Sequence, residues 1–172
     1  RAARRAQADA LAGDDPDFVA IATIGLGTAL LAGGDLAGAE RAYREAREHL
    51  LGTDQTAAVA RCDINLAQVE RERHDLPAAR ALAESCLRWL RADEEEFAEE
   101  IAEALKVLGT ILYLAEERDA AERSFAEARE RFVALDDREQ AADCAIYLVA
   151  IMVNSGRAAE AAPHVASAAS FY

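Results

Sequence analysis

The chain has 172 residues, 52% of them hydrophobic and 30% charged, which is typical of one globular domain with a real core. Its net charge of −13 argues against binding a nucleic-acid backbone, which requires clustered Lys and Arg side chains. The sequence shows neither an apolar run long enough to span a bilayer nor a signal peptide. We therefore expect a cytoplasmic protein with no membrane or nucleic-acid partner, whose protein partners are neutral or basic.

The first segment, residues 1–13, reads as a basic, alanine-rich helix that ends at Gly13 and is followed by the break Asp14-Asp15-Pro16. No initiator Met precedes it, so we expect the chain to be part of a longer protein. Three arginines in this segment fit a solvated helix face better than a nucleic-acid patch: Arg1, Arg4 and Arg5.

A fixed spacing of small and large residues then recurs four times. In the first copy, Gly27, Ala39, Tyr43 and Ala46 are separated by steps of twelve, four and three residues. The later copies read Ala67, Ala79, Ala83 and Cys86; Gly109, Ala121, Phe125 and Ala128; and Val149, Ala161, Val165 and Ala168. A leucine precedes the first residue of each copy, and the copies are 40 to 42 residues apart. Such a period indicates stacked helical hairpins.

The repeat predicts four units, at residues 17–51, 54–91, 93–135 and 138–170. Aspartates precede the first helices of the later units as cap or turn signals, namely Asp54, Asp93 and Asp136-Asp137. The acidic run 93–96 is expected to open the first helix of the third unit, where it would face the positive end of the helix dipole. Pro77 fits the first turn of a second helix, and Pro163 should delay or kink the last one.

The pattern of Leu26-Gly27, Gly34-Asp35, Ala39, Tyr43 and Ala46 resembles the tetratricopeptide repeat (TPR). The resemblance covers about residues 17–170 and implies an all-α fold, an α-solenoid of about four TPR-like antiparallel hairpins in a right-handed superhelix. The units are longer than the usual 34 residues, and His74 and Glu116 replace the glycine of the turn. Units of this length are similar to those of bacterial multidomain regulators.

In such repeats the first helices line a concave groove. Its N-terminal part is expected to be apolar, with Ile21, Ile24, Thr28 and Leu31. The candidate partner-binding residues are Arg61, Asn65, Gln68, Glu72, Lys106, Thr110, Tyr113, Tyr147 and Asn154. Their amide, guanidinium and phenol groups can hydrogen-bond a bound peptide. Glu103 and Val107 stand where a clamp for a terminal carboxylate would require cations, so this clamp is not expected.

Catalytic patterns are absent from the sequence. Cys62, Cys86 and Cys144 lack metal-ligand spacing, and we expect small buried thiols. Gly25-Leu26-Gly27 lies in a helical pattern without a preceding strand and is a weak dinucleotide signal. We therefore expect no enzyme, metal or cofactor.

The remaining hypotheses concern binding. The first is a regulatory or scaffold module that recognises a protein or peptide in the groove. The alternatives are a structural spacer that self-associates through its open end, and a domain that senses a small ligand in the concave pocket. The open end is expected at Val165, Phe171 and Tyr172, where no polar capping helix follows.

Overall fold

The computed structural model describes residues 16–169, apart from the side chains of Pro16, Ser167 and Ala168. These residues form helices and no strand. The helices are α1 (Pro16–Ala32), α2 (Leu36–Leu50), α3 (Thr56–Glu72), α4 (Leu76–Leu90), α5 (Ala98–Leu114), α6 (Arg118–Ala134), α7 (Arg138–Asn154), a 3-10 turn (Ala158–Ala161) and α8 (Ala162–Ala169). The N-terminal helix predicted for residues 1–13, and the predicted end residues Phe171 and Tyr172, lie outside the described part.

Consecutive helices pack against each other within two compact units, one reaching Leu82 and the other starting at Ala83. In the first unit α1 packs on α2, and α2 packs on α3; in the second, α5, α6, α7 and α8 pack in chain order. The first helix of every hairpin has 17 residues. The predicted all-α, helical-repeat fold is therefore confirmed.

The four turns inside the hairpins share one conformation, although only two of them have glycine at the position concerned. Gly34, His74, Glu116 and Gly156 all have positive φ, between 62° and 79°. In each turn the next residue donates its N–H to a carbonyl five residues earlier, as Asp35 does to the carbonyl of Leu30. These bonds satisfy carbonyls at the end of the first helix. His74 and Glu116 therefore leave the turn intact. Their backbone, however, adopts the left-handed conformation, which is unfavourable for a residue with a side chain.

We expect His74→Gly to raise the free energy of unfolding by about 0.5–1 kcal/mol. Relief of the left-handed strain gains about 1–2 kcal/mol, and the more flexible unfolded chain takes back about 0.4–1 kcal/mol. Urea unfolding followed by circular dichroism measures the change. Gly34→Ala is the matched control at the equivalent turn and should lower the free energy of unfolding. A lower value for His74→Gly would contradict this account of the turn.

One predicted helix start is wrong and another is made by a turn. Asp54 lies in the turn before α3, where its carbonyl accepts the N–H of Thr56 at 2.9 Å, and Gln55 occupies the capping position. The acidic run 93–96 precedes α5, which begins at Ala98. Asp93 accepts the N–H of Glu96 at 3.2 Å, and its carbonyl accepts the N–H of Phe97. Phe97 is buried against Trp89, with 5.8 Å between ring centroids, so packing of this ring sets where α5 starts.

Other predicted starts are confirmed. Asp137 caps α7 by accepting the N–H of Gln140 at 3.1 Å. Pro77 lies in the first turn of α4. Pro163 is the second residue of α8, which begins only after the 3-10 turn. Proline therefore delays the last helix, as its missing N–H requires.

The repeated glycines lie under aromatic rings of the neighbouring helix. A Cβ on Gly27 would stand 2.6 Å from Cε1 of Tyr43, and one on Gly109 would stand 3.0 Å from Cδ1 of Phe125. Both rings are fully buried. Glycine thus admits a large ring between the two helices of a hairpin, and this close contact fixes their separation.

Candidate functional site

The outer side of α1 is the apolar start of the predicted groove. Ile21 is 47% exposed, and Thr28 is also exposed. Ile24 and Leu31 are only partly buried and pack against the cluster that contains Tyr43. Thr28 Oγ1 accepts the Tyr43 hydroxyl proton at 3.2 Å and donates to the Ile24 carbonyl at 3.2 Å. This surface therefore offers the exposed side chains of Ile21 and Thr28.

Polar candidates follow on α3, in the same compact unit. Arg61, Asn65, Gln68 and Glu72 are spaced by four, three and four residues, which places them on one side of the helix. Arg61 is exposed and forms no ion pair with the described residues. Gln68 Nε2 lies 3.5 Å from Asn65 Oδ1, and both side chains are half-buried. Glu72 pairs with its neighbour Arg71 at 2.5 Å.

The candidates on α5 also make contacts within the protein. The Lys106 ammonium donates to the amide oxygen of Gln140 on α7 and lies 5.9 Å from the ring centroid of Phe132. Thr110 Oγ1 donates to the Lys106 carbonyl at 3.0 Å. Lys106 therefore joins α5 to α7, and replacing it would disturb packing as well as any binding.

Tyr147 lies between helices of the second unit. Its ring stacks on Phe125 of α6, with centroids 4.5 Å apart and planes within 6°. Tyr113 of α5 meets the same ring edge-on at 5.9 Å. Tyr147 thus holds α7 against the preceding hairpin. Asn154, the last residue of α7, is exposed.

Sequence reasoning missed two exposed apolar residues of α7. Ile146 and Val153 are 47% and 51% exposed, and each immediately precedes a residue that was chosen as a groove candidate. Their spacing of seven residues was the available signal. The same spacing also occurs among core residues. Ile64 of α3 occupies the position equivalent to Ile146, and it is only 1% exposed.

Charge is unevenly distributed between the two compact units. Residues 1–82 carry 13 acidic and 10 basic side chains, whereas residues 83–172 carry 19 acidic and 9 basic ones. Acidic residues occupy equivalent places near the starts of α5 and α7, namely Glu99, Glu103, Glu139 and Asp143. The second unit therefore carries most of the negative charge, which favours basic partners.

Several charged groups of the second helices form ion pairs, some of them with residues of the neighbouring first helix. Glu40 of α2 accepts Arg44 at 2.6 Å and Arg73 at 2.5 Å, and the hydrogen bond from Arg73 is the main cause that lowers the pKa of Glu40. A cavity of about 310 Å³ lies between α2 and α3. Its wall includes Arg47 and Asp63, which are joined to each other at 2.6 Å. The other charged residues of its lining are Arg44, Glu48 and Glu70, so the cavity carries two basic and three acidic side chains.

The cysteines are buried as free thiols, as the sequence predicts. Burial raises the pKa of Cys62 and of Cys144 to about 12, which suppresses the reactive thiolate at neutral pH. His74 is exposed at its turn. Within residues 16–169, no three His, Cys, Asp or Glu side chains form a group that could hold a metal ion. No helix among these residues has the length and apolar character needed to cross a membrane.

Comparison with known proteins identifies a structural neighbour but no family. The crystal structure of BtubC (BKLC) from P. vanneervenii superposes with a TM-score of 0.80 over 99% of this chain and 72% of the BtubC chain, at 20% sequence identity. No protein-family profile matches the sequence. No curated protein matches it either. The likeness to BtubC therefore shows a shared fold.

Proposed function

We propose that this chain is a non-catalytic protein-interaction module of the TPR type, which binds a polypeptide along the exposed sides of its first helices. The observation that carries the proposal is the placement of Arg61 on the first helix α3, exposed and on the same side as the amides of Asn65 and Gln68. Arg61 forms no ion pair among the described residues, as is also true of Arg41 on α2, but only Arg61 has amide side chains beside it on a first helix. An unpaired guanidinium keeps its hydrogen-bond donors for a ligand.

The neighbouring surface supports the same interpretation. Arg61 is followed on α3 by the amides of Asn65 and Gln68, and α1 contacts α3 in the same unit. Ile21 adds an exposed apolar side chain from α1. A stripe of apolar and amide groups suits an extended peptide. The amides can hydrogen-bond the peptide backbone, and the apolar side chain can pack against one side chain of the peptide.

The charge of the chain bears on the class of partner. The acidic groups at the starts of α5 and α7 favour a partner that carries Lys or Arg. We therefore propose a neutral or basic polypeptide as the partner. We further propose that the module serves as the scaffold or regulatory domain of a larger cytoplasmic bacterial regulator.

A charge reversal at Arg61 tests the proposal. Arrays of neutral, basic and acidic peptides are probed with the wild-type chain and with Arg61→Glu. We expect the wild-type chain to bind neutral or basic peptides, and the variant to bind neutral peptides at least about tenfold more weakly, since a hydrogen bond to a charged group contributes about 1.5–3 kcal/mol. The matched control is Arg41→Glu, the same change at an exposed arginine of α2.

The outcomes separate clearly. Loss in Arg61→Glu with full binding in Arg41→Glu supports recognition at α3. Equal binding by all three proteins, or no peptide bound by any, contradicts the proposed function. Circular dichroism of each variant establishes that the helices remain folded.

A further inference from the structure

The last hairpin ends in an exposed apolar face, here called the C face, formed by Ile146, Val153 and Val165. Their exposed fractions are 47%, 51% and 50%. The residues at the same repeat positions in the first hairpin are Ile24, Leu31 and Tyr43. Tyr43 is fully buried, and Ile24 and Leu31 pack in its cluster with Val69 of α3. The C face of the last hairpin is thus equivalent to the surface of the first hairpin against which α3 packs.

The first helix presents the opposite half of such a contact, here called the N face, formed by Phe18, Ala22, Gly25 and Ala29. These residues are exposed or half-buried, with Phe18 51% exposed, and a Cβ on Gly25 would meet no atom of residues 16–169 within 4 Å. The equivalent positions of α3 hold Ala58, Cys62, Asn65 and Val69. Three of those four are at most 2% exposed, and only Asn65 is half-buried.

The junction between the first hairpin and α3 shows how the two faces fit. Ala58 and Cys62 of α3 share one core cluster with Ala46 and Leu50 of α2. Val69 shares the second cluster with Tyr43. Small residues on the incoming helix let it settle against large ones on the receiving hairpin, and the contact removes apolar surface from water.

We propose that the C face of one chain binds the N face of a second copy of the same chain, so that the hairpin stack continues from molecule to molecule. In this contact Ala29 takes the place of Val69 against Val153 and Val165, and Ala22 takes the place of Cys62 beside Ile146. The second copy is the occupant that the structure favours, because this one chain exposes both halves of a junction that it already forms internally.

The same junction sets the geometry of the assembly. A face-to-face pair of two C faces would bring large residues against large ones and would leave both N faces exposed. Head-to-tail contact pairs large with small residues, as the internal junction does. Such a heterologous contact leaves one N face and one C face free in every pair of chains, so a third chain can bind and the oligomers exceed a dimer as the concentration rises.

Sedimentation equilibrium of residues 1–172 tests the proposal. We expect the average mass to rise from one chain mass of 18.5 kDa to twice that value or more as the concentration increases from about 1 µM to about 1 mM. Val153→Arg blocks the C face and Ala29→Arg blocks the N face, both at exposed helical positions. Each variant alone should stay at one chain mass, and an equimolar mixture should form one-to-one dimers and nothing larger.

Other results overturn the proposal in recognisable ways. Wild-type chain that stays monomeric at every concentration shows that its ends do not bind each other. Self-association of Ala29→Arg alone indicates a symmetric pair of C faces. The matched control is Val133→Arg, the same change at a 56% exposed residue of α6 outside both faces, which should associate like wild type. Arg61→Glu should also associate normally, so failure of groove binding and failure of this proposal are distinguishable.

Discussion

Replacing Phe125 with alanine is expected to lower the free energy of unfolding by about 3–5 kcal/mol. The ring is fully buried at the centre of the second unit. It covers Gly109 of α5 on one side and stacks on Tyr147 of α7 at 4.5 Å on another. Its removal takes away contacts to two helices, and the backbone cannot close the cavity without shifting α5 or α7.

Phe125→Tyr is the matched control, because the first hairpin already contains this arrangement. Tyr43 occupies the equivalent position, and its hydroxyl donates to Thr28 Oγ1 at 3.2 Å. Thr110 stands at the position equivalent to Thr28. We therefore expect Phe125→Tyr to change the free energy of unfolding by about 1 kcal/mol or less, since one hydrogen bond offsets burial of the hydroxyl.

Urea unfolding followed by the fluorescence of Trp89 is the appropriate measurement. Trp89 is the single tryptophan of the chain, and it packs against Phe97 in the same compact unit as Phe125. A loss below about 1 kcal/mol for Phe125→Ala, in the range of surface substitutions, would show that the ring does not hold this unit together.

Gly27→Ala is the second large effect that we expect, a decrease of about 1–3 kcal/mol in the free energy of unfolding. Alanine by itself favours a helix by about 1 kcal/mol over glycine. Here the added methyl group would lie 2.6 Å from Cε1 and 2.9 Å from Cδ1 of Tyr43, which is 0% exposed. The ring is also held by its hydrogen bond to Thr28, so relief requires α1 and α2 to separate.

Gly25→Ala provides the control two residues earlier in the same helix. Among the residues that the structure describes, no neighbouring atom lies within 4 Å of the place where its Cβ would stand. We expect this variant to gain about 1 kcal/mol from helix propensity. Circular dichroism during urea unfolding reports both variants. If the two substitutions shift the midpoint in the same direction, close packing on Tyr43 is not the reason for glycine at position 27.

Local patterns were sufficient for the helices but not for all of their ends. The spacing from Gly27 to Tyr43 and from Gly109 to Phe125 predicted the hairpins, because a helix that must accept a ring needs a missing side chain at that point. The start of α5 was misplaced. An acidic run satisfies the rules for a helix start, but burial of Phe97 against Trp89 decided where the helix begins.

The candidate site was only partly readable for a similar reason. Arg61 and Gln68 could be placed on one side of α3 from their spacing alone. The contacts of Lys106 with Gln140 and of Tyr147 with Phe125 depend on a helix more than 20 residues distant in sequence, which no local rule reaches. Polar and aromatic character marks a residue as capable of binding a partner. It does not show whether the side chain is already engaged in a contact within the protein.

The amino-acid sequence by itself determined the helical class, the repeat length and the glycine–aromatic contacts, because these follow from periodicity and side-chain size along one chain. Only the tertiary structure decided which apolar stripes are covered. Ile64 and Ile146 occupy equivalent positions of the repeat, yet one is 1% and the other 47% exposed. Burial of a repeat residue depends on its neighbours in space, and a repeating sequence describes every unit in nearly the same terms.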